Sequence, residues 1–144
     1  MIRAVIDVNV LVSAILGPIG LPRQVILSWF TNQFAAVSSE GIIAKLQEKL
    51  ALPRISRRYN LQSRFDIQWI DGLLRTQAEM VLVTGEQVRA VTGDPEDDLV
   101  LATGRLASAD YLVTGDKGLL ELQQYEGMRI VTPRQFLEIL AAQA

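Results

Sequence analysis

"MIRAVIDVNVLVSAILGPIG", residues 1–20, decides the fold class. Ile2 to Ile6 is a short, largely β-branched run with little alternation, the pattern of a strand buried on both faces, and Asp7 ends it. "NVLVSAIL" then has helical character until Gly17 and Pro18 stop it. A strand covered on both faces belongs to a parallel sheet, so more strands separated by helices should follow. They do: "LPRQVILSWFTNQ" carries Leu21, Val25, Ile26, Trp29 and Phe30 at helical spacing, and "FAAVS" reads as a second strand.

Ser38 or Ser39 caps the next expected helix, "SSEGIIAKLQEKLAL", whose Ile42, Ile43, Leu46 and Leu50 form one stripe before Pro53. Leu61 to Ala78 places Leu61, Phe65, Trp69, Leu73 and the pair Ile70, Leu74 at fourfold spacing, the clearest amphipathic helix in the chain. "EMVLV" reads as a third strand and "TGEQVRAVTG" as a loop or irregular edge. A helix is expected over Pro95 to Ala107, a strand at "DYLVT", a helix at "KGLLELQQY", a last strand at "RIV" and a closing helix at "PRQFLEILAAQ". This is an α/β pattern: one domain over residues 1–144, with a mainly parallel sheet of about five strands flanked by helices. In such sheets ligands gather at the carboxyl ends of the strands, where strand order reverses.

Composition narrows the chemistry. The chain has no His and no Cys, which excludes a disulfide framework, a Cys/His zinc site, a Cys nucleophile and a Ser-His-Asp triad together. A metal would have to sit on oxygen, which favours hard ions such as Mg²⁺ or Mn²⁺. The apolar N-terminal run is interrupted by Arg3, Asp7 and Asn9, so neither a membrane span nor a signal peptide is expected, and the absence of cysteine is compatible with a cytoplasmic protein. A net charge of −2 gives no general reason to expect nucleic acid. Such a partner needs a local patch, and "PRISRRYNLQSR" is the one basic run, with Arg54, Arg57, Arg58 and Arg64 beside Tyr59. Arginine pairs with phosphate in a fork and tyrosine can stack on a base, although a solvated connector explains the run equally well. Trp29 and Trp69 lie on apolar stripes and are expected in the core or in a dimer contact.

Asp7 and Asp116 each follow an apolar strand and so belong to the same carboxyl edge. Alone, the first could be a helix cap and the second a turn residue. "TGDPEDDLVLA", residues 92–102, adds four acids in five positions: Asp94, Glu96, Asp97 and Asp98. Asp94 is a good N-cap, Pro95 suits the first helical position and Asp97 the third, but a cap needs only one or two carboxylates. Asp97 can then face Asp7 and Asp116, with Asp98 as the substitute if the helix is rotated, while Glu96 is expected in solvent. Clustered carboxylates repel unless a cation lies between them, so metal-assisted phosphodiester hydrolysis is the reaction class that fits.

In order, "AVIDVNVLVSA", "VSSEGIIAKLQEKLALPR", "GDPEDDLVLA", "ADYLVTGDKGLL" and "IVTPRQFL" resemble the PIN domain family, and within it the VapC-like toxins of bacterial toxin-antitoxin pairs. The resemblance implies a Mg²⁺- or Mn²⁺-dependent endoribonuclease acting on RNA, held by a cognate antitoxin and homodimeric. Carried over by motif, the metal-binding acids are Asp7, Asp97 and Asp116, with Asn9 and Thr114 flanking the site and Ser13 behind it; Asp94, as the helix cap, could reach the site through a hydrogen bond. The family's second acid, a Glu inside the helix after the second strand, is missing: counting places Lys45 or Ala44 there. Glu48 or Glu40 could substitute, against plain exposed-helix and capping readings. The missing acid motivates a second hypothesis, a catalytically weak or inactive domain that binds RNA or a protein partner. A phospho-acceptor or phosphatase domain ranks third, because Asn9 breaks the expected D-x-D pattern.

Overall fold

The computed structural model describes residues 1–143. Strand β1 (Arg3–Ile6) lies inside the sheet, paired in parallel with β2 (Ala35–Ser38) on one side and β4 (Tyr111–Val113) on the other. Ala4 and Val5 point to opposite faces and are both fully buried, so both faces of β1 are covered. The sheet order is β3-β2-β1-β4-β6-β5, with β3 at Glu79–Met80, β5 at Gln124–Tyr125 and β6 at Met128–Val131. All pairings are parallel except β5 with β6. From β1 the chain passes first to the β2 side and later returns to the β4 side, so the order reverses between β1 and β4.

Around the sheet lie α1 (Val8–Leu16), α2 (Leu21–Phe30), α3 (Glu40–Leu50), the single turn α4 (Pro53–Ser56), α5 (Leu61–Gln77), α6 (Pro95–Leu106), α7 (Lys117–Leu122) and α8 (Pro133–Gln143). The alternation of strands and helices is as the sequence implied, and the result is a single α/β domain. Helix α6 comes close to the sheet because of Gly104: a Cβ there would lie 2.3 Å from Met128 Sδ and 3.2 Å from Val5 Cγ1. Helices α3 and α6 are joined by Ser39 Oγ and Thr103 Oγ1, 3.0 Å apart, and by Leu99 lying over Gly41. Ser39, rather than Ser38, caps α3.

Three expectations need correction. The sheet has six strands, because the helix expected through "KGLLELQQY" ends at Leu122 and a two-residue hairpin follows. Glu126 and Gly127, at φ +51° and +83°, make that turn between β5 and β6. The strand expected over "EMVLV" shrinks to Glu79–Met80 at the sheet edge, where Glu79 is held by Arg3 at 2.6 Å. Finally, α5 forms as expected but with its first half rotated: Leu61 and Phe65 are 70% and 59% exposed, while Ser63 and Asp66 are buried beside Ile70, Leu73 and Leu74. The reason is an ion pair, Arg23 Nη2 to Asp66 Oδ2 at 2.6 Å, that anchors this part of α5 in place of apolar packing. Trp29 is in the core, and Trp69 is half-buried against Phe30 and the Arg23 guanidinium.

Candidate metal centre

Asp7 leaves β1 at the point where strand order reverses, and its backbone N–H donates to Val113 at the end of β4. It holds the N-cap position of α1, yet its side chain makes no capping hydrogen bond. The carboxylate turns instead toward β4, where the buried Thr114 hydroxyl donates to Oδ2 at 2.7 Å. Oδ1 is buried without any hydrogen-bond partner. Such an orphaned charged oxygen costs free energy unless a ligand reaches it.

Helix α6 supplies the neighbours. Asp94 caps it, accepting from the backbone of Glu96 at 2.9 Å and of Asp97 at 3.4 Å, and Pro95 opens the helix as its sequence suggested. Oxygens of Asp7, Glu96 and Asp97 lie within 4.8 Å of one another. Burial, then the charges of Asp116, Asp94, Asp7 and Glu96, push the Asp97 carboxyl up to about 7. Burial also raises the Asp7 carboxyl, against the opposing effect of the Thr114 hydrogen bond. These shifts are the signature of a cluster short of positive charge.

Glu96 was expected in solvent, and here the structure differs. Its side chain is only 15% exposed and ion-paired with Lys49 at 2.8 Å. Lys49 Nζ also donates to Asn9 Oδ1 at 2.7 Å, so one ammonium bridges α1 and α6 from the end of α3. The sequence reading missed Lys49, although it lies four residues beyond Lys45 on the same helix face. Lys45 itself pairs outward with Glu48 at 3.4 Å, and Glu48 is 67% exposed, so the structure does not bring Glu48 to the cluster. Glu40, in the first turn of α3, is exposed as well.

The other candidates have partners of their own or face solvent. Asp116 lies near enough to raise Asp97, but its Oδ2 accepts from Leu119 N at 2.9 Å and caps α7. Its own N–H donates to Thr114 Oγ1 at 3.0 Å, so Thr114 joins Asp116 to Asp7. Asp98 is buried on another side of α6, where its Oδ1 accepts from Val91 N, Thr92 N and Thr92 Oγ1. That is a loop anchor. Ser13 is exposed, as are Arg54, Arg57, Arg58 and Arg64 on and after α4. Tyr59 is not free to stack on a base through its whole ring: it is half-buried against the core and its hydroxyl donates to Leu50 O at 2.6 Å.

The fold and this edge define an α/β domain with carboxylates gathered at a topological switch point, an oxygen-only donor set suited to a hard divalent ion. The chain belongs to the PIN domain family, whose match covers residues 3–118. Residues 119–143 complete the same sheet through β6, paired with β4. PIN domains are nucleases in general and use divalent metals. An uncharacterized protein of Methanocaldococcus jannaschii, MJ1680, is 23% identical over 145 aligned positions, covering 95% of this chain and 90% of its own. A chain in the crystal structure of VapBC2 from Rickettsia felis, bound to a DNA fragment from its promoter, superposes with a TM-score of 0.58 at 16% identity. That likeness covers 91% of this chain and 98% of the other, and it shows a shared fold. No single helix among the described residues is long and apolar enough to cross a membrane.

Proposed function

We propose that the protein is a Mg²⁺- or Mn²⁺-dependent endoribonuclease and the toxin of a toxin-antitoxin pair. The observation that carries this reading is Asp7 Oδ1, buried without a partner in the same cluster as Glu96 and Asp97. Asp7 and Asp97 would hold the ion, and Asp116 would add negative charge from the α7 side. Thr114 fixes one Asp7 oxygen and leaves the other free, which is how a neighbouring hydroxyl orients a ligating carboxylate. Asn9 holds the Lys49 ammonium at the cluster's rim. Asp94 sets the start of α6 and thereby the position of Asp97, while Ser13 is the outlying member of the set. When bound, a divalent ion would supply Lewis-acid stabilisation of charge on the phosphodiester and lower the pKa of water, so that water gives up a proton to solvent and hydroxide becomes available as the nucleophile.

Exposed Arg54, Arg57 and Arg58 would bind RNA phosphates. The VapBC2 likeness supports an antitoxin partner, and the reading includes a homodimer in the cytoplasm. Cleavage of RNA by purified protein with Mn²⁺, lost in Asp97→Asn and Asp7→Asn, tests the reading. Lys49 in the cluster favours a second one, a catalytically weak or inactive domain that binds RNA or a protein partner. RNA binding that needs no metal, with no cleavage at any Mn²⁺ concentration, would establish it.

A further inference from the structure

We propose that Lys49 is a built-in counter-cation of the acid cluster, a positioning residue that draws Glu96 toward Asn9 and holds the site's affinity for divalent metal down. The inference rests on the metal-centre reading above. Three observations carry it. From the last turn of helix α3, one turn beyond Lys45, the structure delivers an ammonium into the cluster, 2.8 Å from Glu96 and 2.7 Å from Asn9. Both partners are partly withdrawn from water, with side-chain exposures of 28% for Lys49 and 15% for Glu96, so their charges are poorly screened. Asp7 keeps a buried oxygen unpartnered although Lys49 is close enough to influence its carboxylate, so the ammonium neutralises the Glu96 side and leaves the Asp7–Asp97 side open.

Charge sets the consequence. With the three converging carboxyls ionised, as metal ligation requires, the one ammonium leaves two negative charges, matched by one divalent ion. Any ion entering beside Asp7 and Asp97 meets a fixed positive charge a few ångströms away and cannot share the Glu96 oxygen that Lys49 holds. Removing that charge should tighten metal binding, which no merely structural role of a lysine predicts. Lys49→Arg keeps the charge and should keep the affinity.

Mn²⁺ binding to the purified, RNA-free chain, followed by calorimetry at fixed pH and ionic strength, tests this. Wild type should bind one ion, Lys49→Met should bind on the order of tenfold more tightly, and Lys49→Arg should stay near wild type. Lys49→Gln repeats the test should Lys49→Met prove poorly folded. Equal or weaker Mn²⁺ affinity in Lys49→Met and Lys49→Gln overturns the proposal. If that occurs while Asp97→Asn still abolishes binding, the metal centre stands and only the role of Lys49 fails. If wild type and both neutral variants bind no Mn²⁺, the metal-centre reading and this inference fail together.

Discussion

The two ends of α1 handle buried charge in opposite ways. At its C-terminal end, Arg23 Nε donates to Ala14 O at 2.9 Å and Nη2 to Asp66 Oδ2 at 2.6 Å, while Gln62 Nε2 donates to Asp66 Oδ1 at 3.0 Å. Charges balance, both carboxylate oxygens are occupied, and the cation lies at the negative end of the helix dipole. At the N-terminal end, Asp7 keeps one oxygen unpartnered among further carboxylates, and a single ammonium serves the group. A satisfied pair fastens helices together, whereas an unsatisfied cluster waits for a ligand. The contrast separates structural from functional charge within one helix length.

Breaking the first end should cost the fold and spare the site. Arg23→Met leaves Asp66 buried without its partner, and a loss of about 3–5 kcal/mol is expected in urea unfolding. The same variant, where folded, should bind Mn²⁺ as wild type does. Breaking the second end should do the reverse. Asp97→Asn removes repulsion and should leave the metal-free protein at least as stable as wild type, while Mn²⁺-dependent cleavage falls by about a hundredfold or more. A smaller effect, about tenfold in Mn²⁺ affinity, is expected for Thr114→Val, which releases Asp7 Oδ2 without removing a ligand.

Acidity sharpens the comparison. With the folded Asp97 carboxyl at about 7 and its ordinary value at 3.8, the folded chain binds more protons than the unfolded chain between those values. Stability from this group therefore falls as pH rises from about 4 to about 7 and then levels off. Urea midpoints of the metal-free protein should decrease across that range, Mn²⁺ should reverse the decrease at neutral pH, and Asp97→Asn should flatten it. The smallest effect is assigned to the exposed arginines: replacing Arg54, Arg57 and Arg58 by Ala should leave melting unchanged. RNA affinity should weaken, and its dependence on salt should become shallower by about 0.7 in slope for each phosphate that an arginine no longer neutralises.

Much of this was legible in the sequence, because it depends on local pattern. The unalternating "AVI" marks an interior strand, and a polar residue just after such a strand must emerge at the sheet's carboxyl edge, which located Asp7 and Asp116, whereas Thr114 came from the family resemblance. Asp94 and Pro95 announced the start of α6 through the chemistry of the helix end. Glu96 and Lys49 were not legible, because their meeting depends on how α3 crosses α6, set by Gly41 against Leu99 and by Ser39 against Thr103. A surplus of acids beyond the needs of a cap was the available signal for Glu96. The phase of α5 was misread for a related reason: counting apolar residues cannot foresee that Asp66 will be buried by a distant arginine. The β5–β6 hairpin rests on two positive-φ residues, and only Gly127 advertises one.

Diffraction at the Mn²⁺ absorption edge from crystals soaked in Mn²⁺ is the most direct test of the central claim. The account predicts one anomalous peak about 2.1 Å from Asp7 Oδ1 and from an Asp97 oxygen, with Lys49 still on Glu96. No peak at Asp7, or a peak held by Glu48 or Glu40 instead, would contradict it.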